Sequence, residues 1–307
     1  MLKKILFMGT PIFAVPILKS LYQNGYEVSA VYTQPPQKSQ RGQKVNKSPI
    51  QGISETLNIE FRTPAFLKNN KEEYEYLKKL NPDIAIVVAY GQIIPKEILS
   101  LSKNGFINVH ASLLPKWRGA APIQRSIMNL DKETGISIMK IAKELDAGPV
   151  CNSYKIKLDK LDNSEIISEK LSKLASEKIL DEIDNIIDGK VVFKPQKSEE
   201  ATYAKKILKD EAKIDWSLSA EDLLGKINGL FPSPAAWFSF NGERYKVLEG
   251  KISDTNGDPG VVLDDNLKIG CKNKSINIIS IQREGKKIQK VGEFILGTKI
   301  KKGSNLN

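Results

Sequence analysis

Three side chains near the middle of the chain have the types needed to move a proton and to stabilise negative charge. Asn108 and His110 lie two residues apart in the apolar run Phe106–His110, which predicts a strand, so both side chains point to the same face. Asp146 follows in a loop that contains Gly148. An amide donates to a developing oxyanion, an imidazole shuttles a proton near neutral pH, and a carboxylate orients the imidazole. The set predicts a site for acyl or formyl transfer.

The same residue types also have structural roles, and the spacing alone leaves these open. His110 is the only histidine in 307 residues. A histidine at the end of a strand is often a hydrogen-bonded structural residue, and Asn and Asp are frequent in turns. Catalysis and structure are therefore both consistent with this spacing.

The elements that must position these side chains begin with a strand–helix–strand pattern. Residues 3–9 predict a buried strand that ends at Gly9, a helix is expected from Thr10, and residues 28–33 predict the next strand. This pattern predicts an α/β fold with a Rossmann-like, doubly wound parallel sheet. Ligands bind such sheets at the carboxyl ends of the strands, and we expect both His110 and Asp146 there. The fingerprint GxGxxG is absent from the first turn, which argues against a bound dinucleotide.

The chain is long enough for two domains. We expect residues 1–189, which end with a long amphipathic helix over residues 164–188, to form the catalytic domain. The polar residues 190–206 predict a linker. Residues 207–307 contain short strand signals separated by Gly, Asn and Asp, which predict a smaller OB-like β-barrel domain.

The composition indicates a cytoplasmic globular protein. Hydrophobic residues make up 40% of the chain, and no apolar run reaches the roughly 18 residues that a membrane span needs. The apolar run at the N-terminus is too short for a signal peptide. Cys151 and Cys271 lie far apart, so neither a disulfide framework nor a cluster of metal ligands is expected.

Basic charge is concentrated in two regions of a chain with a net charge of +11. Residues 34–48 contain Lys38, Arg41, Lys44 and Lys47 and no acidic residue. Residues 266–307 carry ten basic residues against two acidic ones. Such an excess predicts a polyanionic partner such as RNA. A polar loop with two prolines is also typical of a solvent-exposed connector, so the loop's charge alone leaves both interpretations open.

Three motifs resemble those of a known family. The block Asn108–Pro115, the segment Trp117–Arg125 and the run Leu145–Gly148 are similar to motifs of the folate-dependent formyltransferases. Within that family, the likeness is to members that act on initiator tRNA, and it covers nearly the whole chain. The resemblance implies transfer of a formyl group from 10-formyltetrahydrofolate to the α-amino group of methionine on initiator tRNA, for translation initiation.

The resemblance also implies a role for each candidate site residue. Asn108 and His110 would stabilise the oxyanion, and Asp146 would orient His110 and help to move the proton. The folate cosubstrate is expected at Tyr90, Gly91, Gln92, Ser112, Leu113, Leu114 and Pro115. The tRNA is expected at Lys38, Arg41, Lys44 and Lys47.

The partners that the resemblance implies are charged initiator tRNA and folate. We further expect a monomer with no membrane contact, no metal and no tightly bound cofactor. Two alternatives remain at this point. One is a formyltransferase for a small amine, such as an amino sugar nucleotide or glycinamide ribonucleotide. The other is a non-catalytic RNA-binding protein on the same scaffold. The two basic regions favour an RNA substrate over a small amine, and the complete trio argues against a protein without catalysis.

Overall fold

The computed structural model describes residues 3–38 and 45–306, without the side chain of Lys38. The described residues fall into two compact units. The first unit contains residues 1–119, 135–156 and 168–203, and the second contains residues 120–134, 157–167 and 204–307. Arg41 and Lys44 lie outside the described residues.

A seven-stranded sheet forms the centre of the first unit. The strands up to residue 204 are β1 (Lys4–Gly9), β2 (Glu27–Tyr32), β3 (Gln37–Lys38), β4 (Val45–Asn46), β5 (Phe61–Arg62), β6 (Ile84–Val88), β7 (Phe106–His110), β8 (Arg118–Gly119), β9 (Glu133–Lys140), β10 (Val150–Lys157) and β11 (Tyr203–Ala204). The helices are α1 (Val15–Gln23), α2 (Pro49–Thr56), α3 (Lys71–Leu80), α4 (Lys96–Leu99), α5 (Pro122–Met128) and α6 (Ser164–Ile187). The sheet has the order β10-β9-β7-β6-β1-β2-β5.

The sheet is mostly parallel, as the strand–helix–strand pattern predicts. Each neighbouring pair from β7 through β6, β1 and β2 to β5 is parallel. The central strands are buried along their length, from Ile5 to Met8 in β1 and from Ile84 to Val88 in β6. Continuous apolar runs are typical of strands that are covered on both faces.

Strand β9 departs from this direction. It runs antiparallel to β7, with Ile107 beside Lys140 and His110 beside Ser137. The carboxyl end of β9 therefore lies beside the start of β7, away from His110. The sheet is thus mixed at this side, which bears on how Asp146 reaches the site.

The basic loop of residues 34–48 contains more structure than the sequence predicts. β3 and β4 pair in antiparallel fashion, with Gln37 beside Asn46. Lys47 follows this pair, and Ser48 caps α2 by accepting a hydrogen bond from the backbone N of Gln51 at 2.9 Å. Each described part of this loop therefore contains one short strand.

The second unit is built around an antiparallel sheet. Its elements beyond residue 204 are α7 (Ala220–Leu230), β12 (Ala236–Phe240), β13 (Glu243–Ser253), β14 (Lys268–Gly270), β15 (Ser275–Arg283), β16 (Gln289–Lys290) and α8 (Val291–Phe294). Trp216, Phe238, Tyr245 and Phe294 form a chain of ring contacts with centroids 5.5–5.9 Å apart. These rings bury a large apolar area and anchor the core of the unit.

The strand pairings confirm a separate C-terminal antiparallel sheet. Its path runs β12-β13-β15-β14, with β16 paired to β15. Among the described residues this path has two ends, so the expected closed barrel is not confirmed. No helix within residues 3–38 and 45–306 is both long enough and apolar enough to cross a membrane.

Candidate active site

Asn108, His110 and Asp146 meet at the end of β7. Asp146 Oδ1 accepts a hydrogen bond from Asn108 Nδ2 at 3.4 Å, and Asp146 Oδ2 lies 3.7 Å from His110 Nδ1. The side chains of His110 and Asp146 are 7% and 14% exposed. The alternation of side chains along β7 places Asn108 and His110 on one face, and the carboxylate contacts both. The structure therefore brings the three predicted residues together.

The backbone of Trp117 fixes the other nitrogen of His110. Nε2 of His110 lies 2.9 Å from the carbonyl oxygen of Trp117. A carbonyl oxygen only accepts, so the ring hydrogen sits on Nε2 and points away from Asp146. Nδ1 is then the nitrogen that exchanges a proton on the side of Asp146 and Asn108. The orientation of the ring thus depends on a backbone atom as well as on the predicted carboxylate.

Asp146 reaches His110 by a route that the sequence does not predict. Because β9 is antiparallel to β7, the chain leaves β9 beside Ile107 and must return along the sheet to His110. Gly148 allows this return, since a Cβ at that position would lie 1.9 Å from the carbonyl oxygen of Lys140. The expectation that Asp146, like His110, lies at the carboxyl end of a parallel strand is wrong because β9 is antiparallel to β7, although both residues lie in one site.

The carboxylate and its loop are held by three further groups. The backbone N of Gly119 donates to Asp146 Oδ2 at 2.9 Å. Gln196 Nε2 donates to the carbonyl oxygens of Asp146 and Gly148 at 2.8 and 2.7 Å. Gln196 Oε1 in turn accepts from Arg118 Nε at 2.9 Å. Both carboxylate oxygens of Asp146 and the backbone on both sides of Ala147 are thus held by hydrogen bonds.

The first predicted folate segment is a turn directly after β7. Ser112 is fully buried, and its hydroxyl donates to the carbonyl oxygen of Lys116 at 2.6 Å. Ser137 Oγ donates to the carbonyl oxygen of Ser112 and accepts from the backbone N of Leu114, at 2.8 and 3.0 Å. Leu113 and Pro115 are half-buried. Ser112 therefore stabilises the turn, whereas the side chains of Leu113 and Pro115 are partly exposed.

The second predicted folate segment follows β6, the parallel neighbour of β7. Tyr90 is buried in the core, and its carbonyl oxygen accepts from Thr10 Oγ1 at 2.8 Å and from Gln34 Nε2 at 3.1 Å. Gly91 has a φ of 87°, a conformation that favours glycine. Gln92 Nε2 donates to the carbonyl oxygen of Pro64 at 2.9 Å. The segment is an anchored loop at the carboxyl end of β6, and its contact with folate stays a prediction.

The predicted tRNA residues fall mostly outside what the structure describes. Arg41, Lys44 and the side chain of Lys38 lie outside the described residues. Lys47 is exposed and pairs with Glu55 at 2.9 Å. A phosphate would have to compete with that carboxylate for Lys47.

Several residues of this site were not singled out by sequence reasoning. Trp117 and Gly119 lie inside a motif that was recognised, but their roles use backbone atoms, which any residue type supplies. Gln196 and Thr202 lie in the polar stretch expected to be a linker. Thr202 Oγ1 accepts from the backbone N of Trp117 at 2.9 Å, and its carbonyl oxygen accepts from the backbone N of Arg118 at 2.9 Å. Their residue types carried no distinguishing signal.

The arrangement suits the stabilisation of a negative oxygen with movement of a proton nearby. Asn108 Nδ2 carries two hydrogens, and only one of them can point at Asp146. The other is free to donate to a reacting oxygen beside His110. The described residues contain no group of three or more His, Cys, Asp and Glu side chains that could hold a metal ion.

Two family models match the chain. One, described as "Formyl transferase", matches residues 3–183. The other, described as "Formyl transferase, C-terminal domain", matches residues 206–299. Together they span most of the chain.

Curated relatives match over the full length. A methionyl-tRNA formyltransferase of Pelagibacter ubique is 63% identical over 307 residues, which cover 100% of this chain and 99% of the relative. A methionyl-tRNA formyltransferase of Caldanaerobacter subterraneus subsp. tengcongensis is 40% identical and covers 99% of both chains.

Solved structures share the fold at low identity. WlaRD, a sugar 3N-formyl transferase solved with dTDP and 5-N-formyl-THF, has a TM-score of 0.69 at 18% identity, covering 94% of this chain and 99% of its own. HypX from Aquifex aeolicus in complex with tetrahydrofolic acid has a TM-score of 0.66 at 18% identity, covering 95% of this chain and 46% of its own. At this identity the likeness concerns the fold alone.

Proposed function

We infer that this chain, which belongs to the formyl transferase family, transfers a formyl group from 10-formyltetrahydrofolate to the α-amino group of methionine on initiator tRNA. The structural observation that supports this most directly is the carboxylate of Asp146, 3.4 Å from Asn108 Nδ2 and 3.7 Å from His110 Nδ1. An amide, an imidazole and a carboxylate at these distances provide the groups that an amine needs to attack a formyl carbon.

The first step is attack by the amine. The methionine nitrogen forms a bond to the formyl carbon, and the carbon–oxygen double bond becomes a single bond with negative charge on oxygen. The substrate supplies the nucleophile, so no Ser or Cys of the enzyme is needed. Asn108 Nδ2 and Nδ1 of protonated His110, which carries a hydrogen on both ring nitrogens, donate to this oxygen and stabilise the charge.

The second step breaks the bond from the formyl carbon to N10 of the folate. The attacking nitrogen loses a proton, and N10 gains one as it leaves, so tetrahydrofolate and the formylated amine are the products. Asp146 lies beside both donors, orients His110 and helps to move this proton from the attacking nitrogen to N10. Its contact with the backbone N of Gly119 keeps Oδ2 in place through both steps.

The folate is proposed to bind between the two loops that follow β6 and β7. Because these strands are parallel neighbours, Tyr90, Gly91 and Gln92 leave the sheet at the same edge as the turn Ser112–Pro115. The exposed backbone and side-chain groups of the loop after β6 would contact the pteridine. Leu113 and Leu114 would supply an apolar wall.

The tRNA is proposed to bind through basic side chains. Lys38, Arg41, Lys44 and Lys47 would contact phosphates near the acceptor end, and the ten basic residues within 266–307 would contact the backbone further away. In this proposal residues 1–189 carry out catalysis, residues 190–206 connect, and residues 207–307 bind tRNA on an OB-like domain. The enzyme is expected to act as a cytoplasmic monomer.

A direct comparison of substrates tests this function. We expect formylmethionyl-tRNA to form from charged initiator tRNA and 10-formyltetrahydrofolate, with kcat/KM at least about 10²-fold above that for an amino sugar nucleotide or glycinamide ribonucleotide. Asp146→Asn keeps an acceptor for Gly119 but loses the charge, and we expect kcat to fall on the order of 10²-fold. Equal or better use of a small amine would overturn the assignment.

The salt dependence of tRNA binding gives a second measurement. If about six phosphates are contacted, affinity should fall by roughly 10³-fold between 50 and 200 mM salt. A flat dependence would favour the small-amine alternative. Binding of tRNA without any folate turnover would favour the non-catalytic alternative.

A further inference from the structure

Two residues that contact His110 have left-handed backbone conformations. Asp146 has a φ of 50° and Trp117 a φ of 61°. Residues other than glycine avoid this region, and a bulky residue such as Trp does so strongly. Such conformations persist where surrounding contacts determine them. The contacts that hold these two residues therefore control the environment of His110.

Gln196 holds the first of them. Its Nε2 donates to the carbonyl oxygens of Asp146 and Gly148 at 2.8 and 2.7 Å. One amide group thus uses both of its hydrogens on a single loop. The loop is the one that returns from β9 to His110, and none of the described strands pairs with it at Asp146.

Arg118 fixes the orientation of Gln196. Arg118 is 3% exposed, and its Nε donates to Gln196 Oε1 at 2.9 Å. A guanidinium only donates, so Oε1 must face Arg118 and the NH₂ group must face the two carbonyl oxygens. Nη2 of Arg118 is buried without a hydrogen-bond partner among the described residues. The buried guanidinium therefore depends on Gln196 Oε1 as an acceptor.

Thr202 holds the second left-handed residue. Its Oγ1 accepts from the backbone N of Trp117 at 2.9 Å, and its carbonyl oxygen accepts from the backbone N of Arg118 at 2.9 Å. Trp117 then presents its own carbonyl oxygen to His110 Nε2. The segment from Gln196 to Thr202 thus contacts the supports of His110 on both sides of the ring.

We propose that Gln196 is a positioning residue for formyl transfer, acting through the backbone of Asp146, with Arg118 setting its orientation. The inference rests on the proposed function, because it concerns the same site. In this proposal the polar segment after α6 aligns the carboxylate of Asp146 with Asn108 and His110. Displacement of a reacting group by about 1 Å is enough to cost roughly 10²-fold in rate.

Two substitutions separate positioning from a merely structural role. Gln196→Met keeps the length of the side chain and loses every hydrogen bond. Gln196→Glu keeps an acceptor for Arg118 and adds a charge pair, but it turns an acceptor towards the carbonyl oxygens of Asp146 and Gly148. If Gln196 only stabilised Arg118, the Glu variant would keep the kcat and the Tm of the wild type.

We expect both variants to lower kcat by roughly 10- to 100-fold while KM for folate and for tRNA stays within about threefold. The Glu variant should keep its Tm within about 3 °C of the wild type. Wild-type kcat in either variant, or recovery in the Glu variant, would overturn the proposal. Gln23→Met and Gln23→Glu are the matched controls, because Gln23 is exposed near the end of α1, and both should leave kcat unchanged.

Hydrogen exchange tests the same contact without any turnover. Amides of residues 142–148 should exchange at least about tenfold faster in Gln196→Met than in the wild type, with exchange in β1 and β6 unchanged. Unchanged exchange in that loop would overturn the proposal even for an active enzyme. A wild type that formylates no amine would instead overturn the proposed function, and the exchange result would still decide the role of Gln196.

Discussion

His110 Nε2 lies 2.9 Å from the carbonyl oxygen of Trp117, so one side of the imidazole is committed to the backbone before any substrate binds. The other nitrogen, Nδ1, faces Asp146 Oδ2 at 3.7 Å. The two nitrogens therefore have different tasks. Nε2 orients the ring, and Nδ1 serves the reaction.

Two substitutions of His110 distinguish these tasks. In His110→Gln the amide nitrogen can take the position of Nε2 and keep the bond to Trp117, whereas in His110→Asn it can take the position of Nδ1 beside Asp146. Both variants should lose activity, on the order of 10²-fold or more, because neither amide transfers a proton. The Asn variant should keep more activity and the Gln variant more thermal stability. Steady-state kinetics and Tm measure the two effects, and the reverse order would contradict the assignment of the nitrogens.

Gly148 provides a test of the loop that returns to His110. In Gly148→Ala the added Cβ would lie 1.9 Å from the carbonyl oxygen of Lys140, so the backbone must move. We expect kcat to fall by at least about tenfold, since Gln196 donates to the carbonyl oxygens of both Asp146 and Gly148. Gly52→Ala is the control, because nothing lies within 4 Å of the added atom. Equal activity of the two variants would show that the loop tolerates displacement.

Glu73 provides a test of stability away from the active site. Its side chain is 7% exposed and accepts hydrogen bonds from Arg62 Nε at 2.7 Å, Arg62 Nη2 at 2.9 Å and Tyr32 OH at 2.5 Å. Arg62→Met leaves a buried carboxylate without its cation, and we expect the free energy of unfolding to fall by about 3 kcal/mol. Denaturant titration at pH 7 measures the loss.

The control for this change uses the same arginine. Glu72 also contacts Arg62, at 2.7 Å, but its side chain is 81% exposed. Glu72→Gln should therefore cost less than about 0.5 kcal/mol. If both substitutions cost the same amount, burial of Glu73 would not be the reason for the larger loss.

The two cysteines give a prediction about pH. Burial, with a further contribution from the charge of Glu182, raises the pKa of the Cys151 thiol to about 11, and burial raises the pKa of Cys271 to about 11. A raised pKa means less thiolate at pH 8, because the proton leaves only at higher pH. Alkylation by iodoacetamide at pH 8 should be about 10²-fold slower in the folded protein than in urea, with the rate still rising at pH 10. A rate that levels off near pH 9 in the folded protein would contradict these shifts.

Much of the architecture follows from patterns in the sequence. Apolar runs predict β1, β2 and β7. Alternation along β7 predicts that Asn108 and His110 share a face, and both side chains lie near the carboxylate of Asp146. The periodic apolar positions between residues 164 and 188 predicted α6, which ends at Ile187. These signals work because each reflects a local backbone repeat.

The direction of β9 and the supports of the site could not be predicted in this way. The apolar content of a strand does not depend on whether its neighbour is parallel or antiparallel. The sequence pattern therefore does not predict that the chain returns from β9 to His110. Gln196 binds two backbone carbonyl oxygens, and Trp117 acts through its own carbonyl oxygen. A backbone carbonyl oxygen is present in every residue type, so the sequence does not indicate which carbonyl oxygens support the site.

The contacts made by Gln196 and Thr202 limit how this chain can be divided. Both residues follow Gly189, where the chain leaves α6 and turns polar. A product truncated at Gly189 would retain Asn108, His110 and Asp146. It would lose the hydrogen bonds of Gln196 and Thr202 to the backbone of Asp146 and Trp117, which are proposed to align these side chains. Protease nicking inside residues 190–202, or transplantation of residues 1–189 into a chimaera, would therefore yield a molecule with every reactive group and little turnover.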